Sequence, residues 1–135
     1  LIHNSFTTTQ DIKETQSSLS SVFWCTCPNA NLYIENRLPD YKAFIDSDSK
    51  MVIGTDSLSS NWQLSVLDEM KTIRKYCSYI PTKELMKWAC IHGAQALGVE
   101  NNYGSFTIGN NPGIIQITVN EQGEIYEGSK VRRIQ

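Results

Sequence analysis

The sequence lacks long apolar runs and any strong excess of charge of one sign. No run approaches the roughly 18 apolar residues that a membrane span needs, and no signal-peptide pattern is present. The formal net charge is −2, so the chain lacks the excess of positive charge that binding to nucleic acid or to an anionic membrane surface requires. We therefore expect a cytoplasmic protein with no nucleic-acid or membrane partner. Hydrophobic residues make up 40% of the 135 positions, enough for a domain with a core.

Zinc-ribbon spacing is also absent from the cysteines. The chain has Cys25, Cys27, Cys77 and Cys90, and without a secretory signal we expect reduced thiols. On a strand, Cys25 and Cys27 would face the same side, too close for an ordinary disulfide. Free cysteine usually behaves as a small buried residue, so both are interpreted as core residues.

Strand-like runs and helical patterns alternate through the first two thirds of the chain. Dense β-branched and aromatic runs predict buried parallel strands at residues 22–27 and 51–55, after a short apolar stub at 1–4. Pro28 should end the first run, and a polar loop is expected at 29–39. Apolar periodicity and capping residues predict helices that run from Thr8 to Ser17, over 40–45, over 64–76, and from a Thr82 cap to Gly98.

The last third has a different pattern. Residues 105–108, 114–119 and 125–134 are expected to form strands, separated by turns at 109–113 and 121–124. Three βα units followed by such strands cannot close a barrel and would leave open strand edges. Because the chain also begins at Leu1 without methionine, we expect a piece of a longer protein.

Polar residues follow the predicted strands where ligands sit in parallel α/β sheets, beyond the carboxyl ends. They are His3, the segment Cys27-Pro28-Asn29, and Asp56. A histidine and an aspartate at neighbouring strand ends suit metal binding or acid–base catalysis. An ordinary loop histidine and a helix-capping aspartate are the structural alternatives.

Five segments carry a more specific signal in their order. They are Leu1-Ile2-His3-Asn4-Ser5-Phe6-Thr7, Cys27-Pro28-Asn29-Ala30-Asn31, Gly54-Thr55-Asp56-Ser57-Leu58-Ser59-Ser60-Asn61, and the segments 88–98 and 104–113. Together they resemble the amidohydrolase superfamily, in particular its aminohydrolase and chlorohydrolase branch, which includes guanine deaminase.

The resemblance implies an α/β chain that supplies strands 6 to 8, with their helices, of a TIM-type (β/α)8 barrel. Residues 1–98 would form this part of the barrel with the helices that follow it. Residues 99–135 would add β-strands to the small β-sandwich beside the barrel.

The resemblance also implies a divalent metal, usually zinc and sometimes iron. Asp56 matches the family's strand 8 aspartate, which ligates the metal and takes a proton from the attacking water. His3 matches the strand 6 histidine, which polarises or hydrogen-bonds the group being hydrolysed. Asn29, Asn31 and Asn61 lie in segments that resemble pocket loops, and are candidates for substrate binding.

The family's remaining metal ligands, a His-x-His pair and another histidine, are absent, because the sequence has only His3 and His92. The metal would thus need ligands from outside this chain, and the chain alone should bind it poorly and be inactive. His92 stands where the family usually has asparagine, and a helix-end histidine is usually solvated or a cap. Asn110-Asn111 replaces the family's usual Gly-Lys pair.

The resemblance predicts hydrolysis of a C–N or C–halogen bond in a small heterocyclic substrate, by a deaminase or a chlorohydrolase. A different interpretation is a non-catalytic module whose open strand edges pair with another chain, or with a second copy in a homo-oligomer or domain swap. A third is a local metal site made by His3, Cys25 or Cys27, and Asp56.

Overall fold

The computed structural model describes residues 1–134. They form two compact units, Leu1–Leu64 and a second unit that begins at Ser65. This division lies at a different position from the barrel–sandwich boundary predicted at residue 98, which stays a prediction. Within residues 1–134, no helix is long and apolar enough to cross a bilayer.

Short parallel strands organise the first unit. β1 (Trp24–Thr26) pairs in parallel with β2 (Met51–Ile53), and Ile2 forms an isolated parallel bridge to Cys25. The stub at 1–4 is therefore a single bridge rather than a full strand. The helices of this unit are α1 (Thr9–Ser18), α2 (Pro28–Glu35) and α3 (Tyr41–Asp46).

The core of the first unit explains why these short strands hold together. The Trp24 and Phe44 side chains are buried, with ring centroids 5.2 Å apart and tilted by 59°. Such tilted aromatic pairs add stability beyond the area that they bury. Thr26 Oγ1 and Tyr41 Oη share a hydrogen bond of 2.8 Å in the same buried region. The strand predictions at 22–27 and 51–55 are confirmed in position, although each strand is shorter.

The loop predicted at residues 29–39 is wrong, because α2 occupies its first half. Pro28 does end β1, but it then stands in the first turn of a helix. Proline is favoured there, since its φ angle is already helical and its missing N–H has no helical partner to lose. The helix ends at Asn36 in the left-handed conformation, at φ 48°. The prediction treated Pro28 only as a strand terminator.

The second unit contains two helical stretches and one hairpin-like pair. α4 (Val66–Tyr76) is followed by α5 (Thr82–Met86), a π-helical turn (Lys87–His92) and α6 (Gly93–Leu97), which run on as one helical segment. Gly98 ends that segment at φ 68°, as the sequence predicts. β3 (Ile115–Ile117) and β4 (Val131–Arg133) are antiparallel.

Of the three strand predictions in this unit, one is wrong and two are too long. Residues 105–108 form no strand; Asn110 N–H donates to Thr107 O at 3.0 Å, which closes a turn instead. The strands predicted at 114–119 and 125–134 are reduced to β3 and β4. An alternating apolar pattern gives a segment strand propensity, but a strand forms only where a ladder of hydrogen bonds pairs it.

His92 is buried, which corrects the expectation of a solvated or capping side chain. The reason is its position: the helical segment continues beyond it through α6, so His92 is not at a helix end. The π-helical turn places it within the segment.

The predicted Thr82 cap is also wrong, and a distant residue takes its place. The N-cap is Pro81, with no side-chain cap bond. Thr82 N–H donates to Glu124 Oε2 at 2.7 Å, and Thr82 Oγ1 donates to the same oxygen. Arg74 Nη2 lies 3.5 Å from that oxygen. Glu124 therefore caps the helix from 42 residues away, a contact that no local pattern could indicate.

Glu124→Gln is expected to destabilise the second unit by about 1 kcal/mol, the usual value of a helix cap. The Thr82 hydrogen bonds, followed by Arg74, hold the pKa of Glu124 below its ordinary 4.5. A lowered folded-state pKa stabilises the fold above the unfolded pKa, and this contribution disappears as pH falls through the folded pKa. Urea unfolding at neutral and acidic pH should show that the free energy of unfolding falls less on acidification in the variant than in the wild type.

The matched control for that prediction is Glu121→Gln, an exposed carboxylate in the same turn. It should leave both stability and its pH dependence unchanged. Equal effects of the two substitutions would contradict the proposed cap.

Candidate active site

Three residues at the carboxyl side of the parallel strands have a left-handed backbone. His3 and Asn4 follow the Ile2 bridge with φ angles of 71° and 62°, and Asp56 follows β2 with φ 57°. Residues other than glycine seldom adopt this conformation, and it is common at functional sites. A hydrogen bond stabilises the backbone at Asn4, because Asn4 Nδ2 donates to Cys25 O at 2.9 Å.

His3 is held by Asn31, a buried residue in the first turn of α2. His3 Nδ1 lies 3.3 Å from Asn31 Oδ1. Asn31 Nδ2 donates to His3 O at 3.1 Å and also to Ser5 Oγ. Asn31 thus holds the imidazole through Nδ1. The other ring nitrogen, Nε2, points away from Asn31.

Asp56 accepts hydrogen bonds on both carboxylate oxygens. Ser60 Oγ donates to Oδ2 at 2.8 Å, and Ser57 N–H donates to Oδ1 at 2.8 Å. The Ser60 bond chiefly lowers the pKa of Asp56 below its ordinary 3.8, with smaller contributions from Ser57 and His3. The carboxylate is therefore ionised at neutral pH, the state that binds a cation.

The free nitrogen of His3 faces this carboxylate. His3 Nε2 lies 3.8 Å from Asp56 Oδ2, longer than a hydrogen bond, and the two side chains are 39% and 30% exposed. A solvent-accessible pair of this kind can share a proton, a water molecule or a substrate group. The structure thus brings together the histidine and the aspartate that the sequence predicts at neighbouring strand ends.

The three asparagine candidates are all buried. Asn29 and Asn31 lie in the first turn of α2, and Asn61 Nδ2 donates to Thr55 O at 2.8 Å, which closes the loop after β2. The bonds of Asn31 and Asn61 indicate that they support the backbone of His3 and Asp56. Their predicted role in substrate binding stays a prediction.

The Cys25 and Cys27 thiols both pack against Gly54. A Cβ atom at Gly54 would stand 3.0 Å from Cys25 Sγ and 3.4 Å from Cys27 Sγ, so a larger residue would crowd both. A hydrogen bond with Cys27 lowers the pKa of the Cys25 thiol. Cys27 is buried as predicted, whereas Cys25 is only half-buried.

A local metal site from His3, a cysteine and Asp56 does not form. Across residues 1–134, no group of three or more histidine, cysteine, aspartate or glutamate side chains is placed to hold a metal ion. The thiols are directed into the packing around Gly54, which explains why they do not complete such a set.

Comparison with known proteins decides the family. The model of the amidohydrolase family matches residues 1–130. The chain belongs to the amidohydrolase family.

Similar proteins support the same conclusion. An adenosine deaminase of Helicobacter pylori is 32% identical over 104 residues, which are 74% of this chain and 25% of that protein. The crystal structure of H. pylori aminofutalosine deaminase superposes with a TM-score of 0.73 at 28% identity, over 89% of this chain and 30% of that one.

An adenosine deaminase from Xanthomonas campestris, solved with bound zinc, shares the fold. Its TM-score is 0.73 at 23% identity, over 90% of this chain and 29% of that one. The chain thus spans about a quarter of the length of the curated relative. The predicted α/β fold, part of an amidohydrolase TIM-type barrel, is confirmed.

The amidohydrolase residues present here fit part of a metal site. An ionised carboxylate is a ligand that zinc accepts, and Asp56 supplies one. A structural zinc site has four ligands and a catalytic one usually three. Among residues 1–134, no group of three or more histidine, cysteine, aspartate or glutamate side chains is placed to complete such a set.

Ser57 and Ser60 are the site residues that sequence reasoning did not single out. Both lie in the segment that follows Asp56, and they fix the ionised carboxylate. A signal for them was available: a short polar loop after an aspartate often folds back to hydrogen-bond its side chain. Ser5 was also missed, and its contact with Asn31 joins segments 26 positions apart.

Proposed function

We propose that this chain is part of a hydrolytic deaminase that acts on the amino group of an adenine-type nucleoside. The observation that carries the proposal is the His3–Asp56 pair, in which Nε2 and Oδ2 face each other 3.8 Å apart at the ends of parallel strands. The names of two similar proteins, an adenosine deaminase and an aminofutalosine deaminase, support the choice of reaction.

In the proposed reaction, water attacks the ring carbon that bears the amino group. The C–O bond forms, the C–N bond breaks, and ammonia leaves, so that the ring gains a carbonyl group. Asp56 is ionised, takes one proton that the water loses and passes it to the amino group, which leaves as ammonia. The second proton of the water ends on the ring nitrogen beside the new carbonyl group. His3 Nε2, 3.8 Å from Asp56 Oδ2, accepts a hydrogen bond from the attacking water or from the amino group.

A divalent metal, zinc first and iron second, would be held in part by Asp56 and would lower the pKa of the attacking water. Both side chains are solvent-accessible, so a small substrate can reach them. Ser60 and Ser57 keep the carboxylate ionised and oriented, since each of its oxygens receives a hydrogen bond.

Deamination is preferred to dehalogenation because both similar proteins used above are deaminases. The chain alone is proposed to be inactive, since its described residues place too few metal ligands together. The open strand edges also predict that this chain pairs with a second copy of itself or with another chain, and this stays a prediction.

Ammonia release is the test of this function. The protein made from the complete reading frame, loaded with zinc, should convert adenosine to inosine with one ammonia released per turnover. Guanine and a chlorinated triazine serve as comparison substrates for the other reactions of the branch. Halide release without ammonia release from any aminated heterocycle would contradict the proposal.

A further inference from the structure

Asn31 makes three contacts that together determine where the proton of His3 lies. Its amide nitrogen donates to His3 O at 3.1 Å and to Ser5 Oγ, and its amide oxygen faces His3 Nδ1 at 3.3 Å. We infer that Asn31 is a positioning residue that holds neutral His3 in the Nδ1–H tautomer. Nε2 then carries a lone pair directed to the Asp56 side.

The orientation of the Asn31 amide follows from what its neighbours can do. The carbonyl oxygen of His3 only accepts hydrogen bonds, so the amide atom next to it must be the NH2 group. The amide oxygen is then the atom that faces Nδ1. Because that oxygen also only accepts, Nδ1 must carry the hydrogen, and a neutral imidazole has only one.

The supporting structure is rigid enough to fix this choice. Asn31 is 1% exposed and stands in the first turn of a helix that begins at Pro28. Turning its amide over would place its oxygen against two atoms that serve it as acceptors, His3 O and Ser5 Oγ. The His3 backbone is held as well, by the Ile2 bridge and by Asn4.

This tautomer narrows the kind of group that the site can take. Nε2 and the Asp56 oxygen are both acceptors, 3.8 Å apart, so a neutral group between them must bring N–H or O–H hydrogens. Water and an amino group satisfy both atoms, whereas a carbonyl oxygen would be repelled by both. This consequence for catalysis rests on the proposed deaminase function, but the tautomer itself does not.

Nitrogen NMR of the 135-residue chain measures the tautomer directly. With 15N-labelled histidine, at a pH where the imidazole is neutral, long-range proton–nitrogen correlations distinguish Nδ1–H from Nε2–H. The chain has only two histidines, so a His92→Gln variant assigns both sets of signals. We expect Nδ1–H for His3. Nε2–H, the form that free imidazole side chains prefer, would overturn the inference.

Two substitutions test whether Asn31 causes His3 to adopt the Nδ1–H tautomer. Asn31→Ala should shift His3 towards Nε2–H, while Ser5→Ala, which removes only the contact at the NH2 group, should leave Nδ1–H in place. Unchanged backbone amide signals across Leu1–Leu64 show that the fold of the first unit survives. If Asn31→Ala does not fold, the wild-type chain still decides the question, because Nε2–H in its spectrum overturns the inference.

The activity measurement separates this inference from the proposed function. In the complete enzyme, Asn31→Ala should lower kcat roughly 10- to 100-fold, the usual effect of losing a residue that orients an active-site histidine. An inactive wild-type enzyme would refute the deaminase proposal and leave the NMR result standing. Nε2–H in an active deaminase would refute only the role of Asn31.

Discussion

Asp56→Asn in the complete protein is expected to lower kcat for deamination by about 10²–10⁴-fold, the range for loss of a catalytic proton acceptor. The amide cannot accept a proton at neutral pH, and it is a poorer metal ligand than the carboxylate. Ammonia release under saturating zinc and nucleoside measures the effect. The fold should survive, because asparagine tolerates the left-handed backbone that Asp56 adopts at φ 57°.

The control for this substitution is Asp48→Asn. Asp48 is exposed and has the same left-handed conformation at φ 48°, but it lies outside the site. Its replacement should leave kcat unchanged. A similar loss in both variants would mean that the backbone conformation, rather than the carboxylate, carries the effect.

Trp24→Ala is expected to destabilise the first unit by about 3–5 kcal/mol, the usual cost of removing a buried aromatic side chain. Trp24 is 1% exposed and packs against Phe44 at 5.2 Å. Because whole domains have only about 5–15 kcal/mol of stability, the variant should unfold at a much lower urea concentration. Circular dichroism follows the transition without depending on tryptophan fluorescence.

Trp62→Ala is the matched control, since Trp62 is 69% exposed in the loop after Asp56. It should change stability by no more than about 0.5 kcal/mol, as surface substitutions usually do. A third variant, Trp24→Phe, should cost less than Trp24→Ala. The Trp24 Nε1–H is buried without a hydrogen-bond partner in the described structure, so phenylalanine removes that unsatisfied donor.

The sequence predicts the elements whose signals are local. β1 and β2 are apolar runs, and α1 begins at a capping box in which Thr8 and Asp11 bond each other's backbone. α4 has a regular apolar face with Met70 and Ile73 buried on it. Such signals lie within a few residues of the structure that they specify.

The features that the sequence did not predict depend on contacts far along the chain. Glu124 caps the helix at Thr82 from 42 residues away, and nothing near Thr82 indicates it. Burial of His92 depends on how the helix continues through a π-helical turn. α2 is an exception, because Pro28 is also a valid local signal for a helix start.

The candidate site shows the same division. The parallel arrangement of the strands is enough to predict that His3 and Asp56 lie near each other, since the carboxyl ends of parallel strands share one edge. The support of that pair could not be predicted in this way. Asn31 reaches His3 across 28 positions, and only the folded backbone shows that its amide contacts the imidazole.

Zinc titration of the purified 135-residue chain tests most directly whether Asp56 is one ligand of a metal site that residues outside this chain complete. Calorimetry under reducing conditions should show no tight, saturable binding, because the described residues place no set of three or more possible ligands together. Tight one-to-one binding of zinc would contradict the proposal that the remaining ligands lie outside this chain.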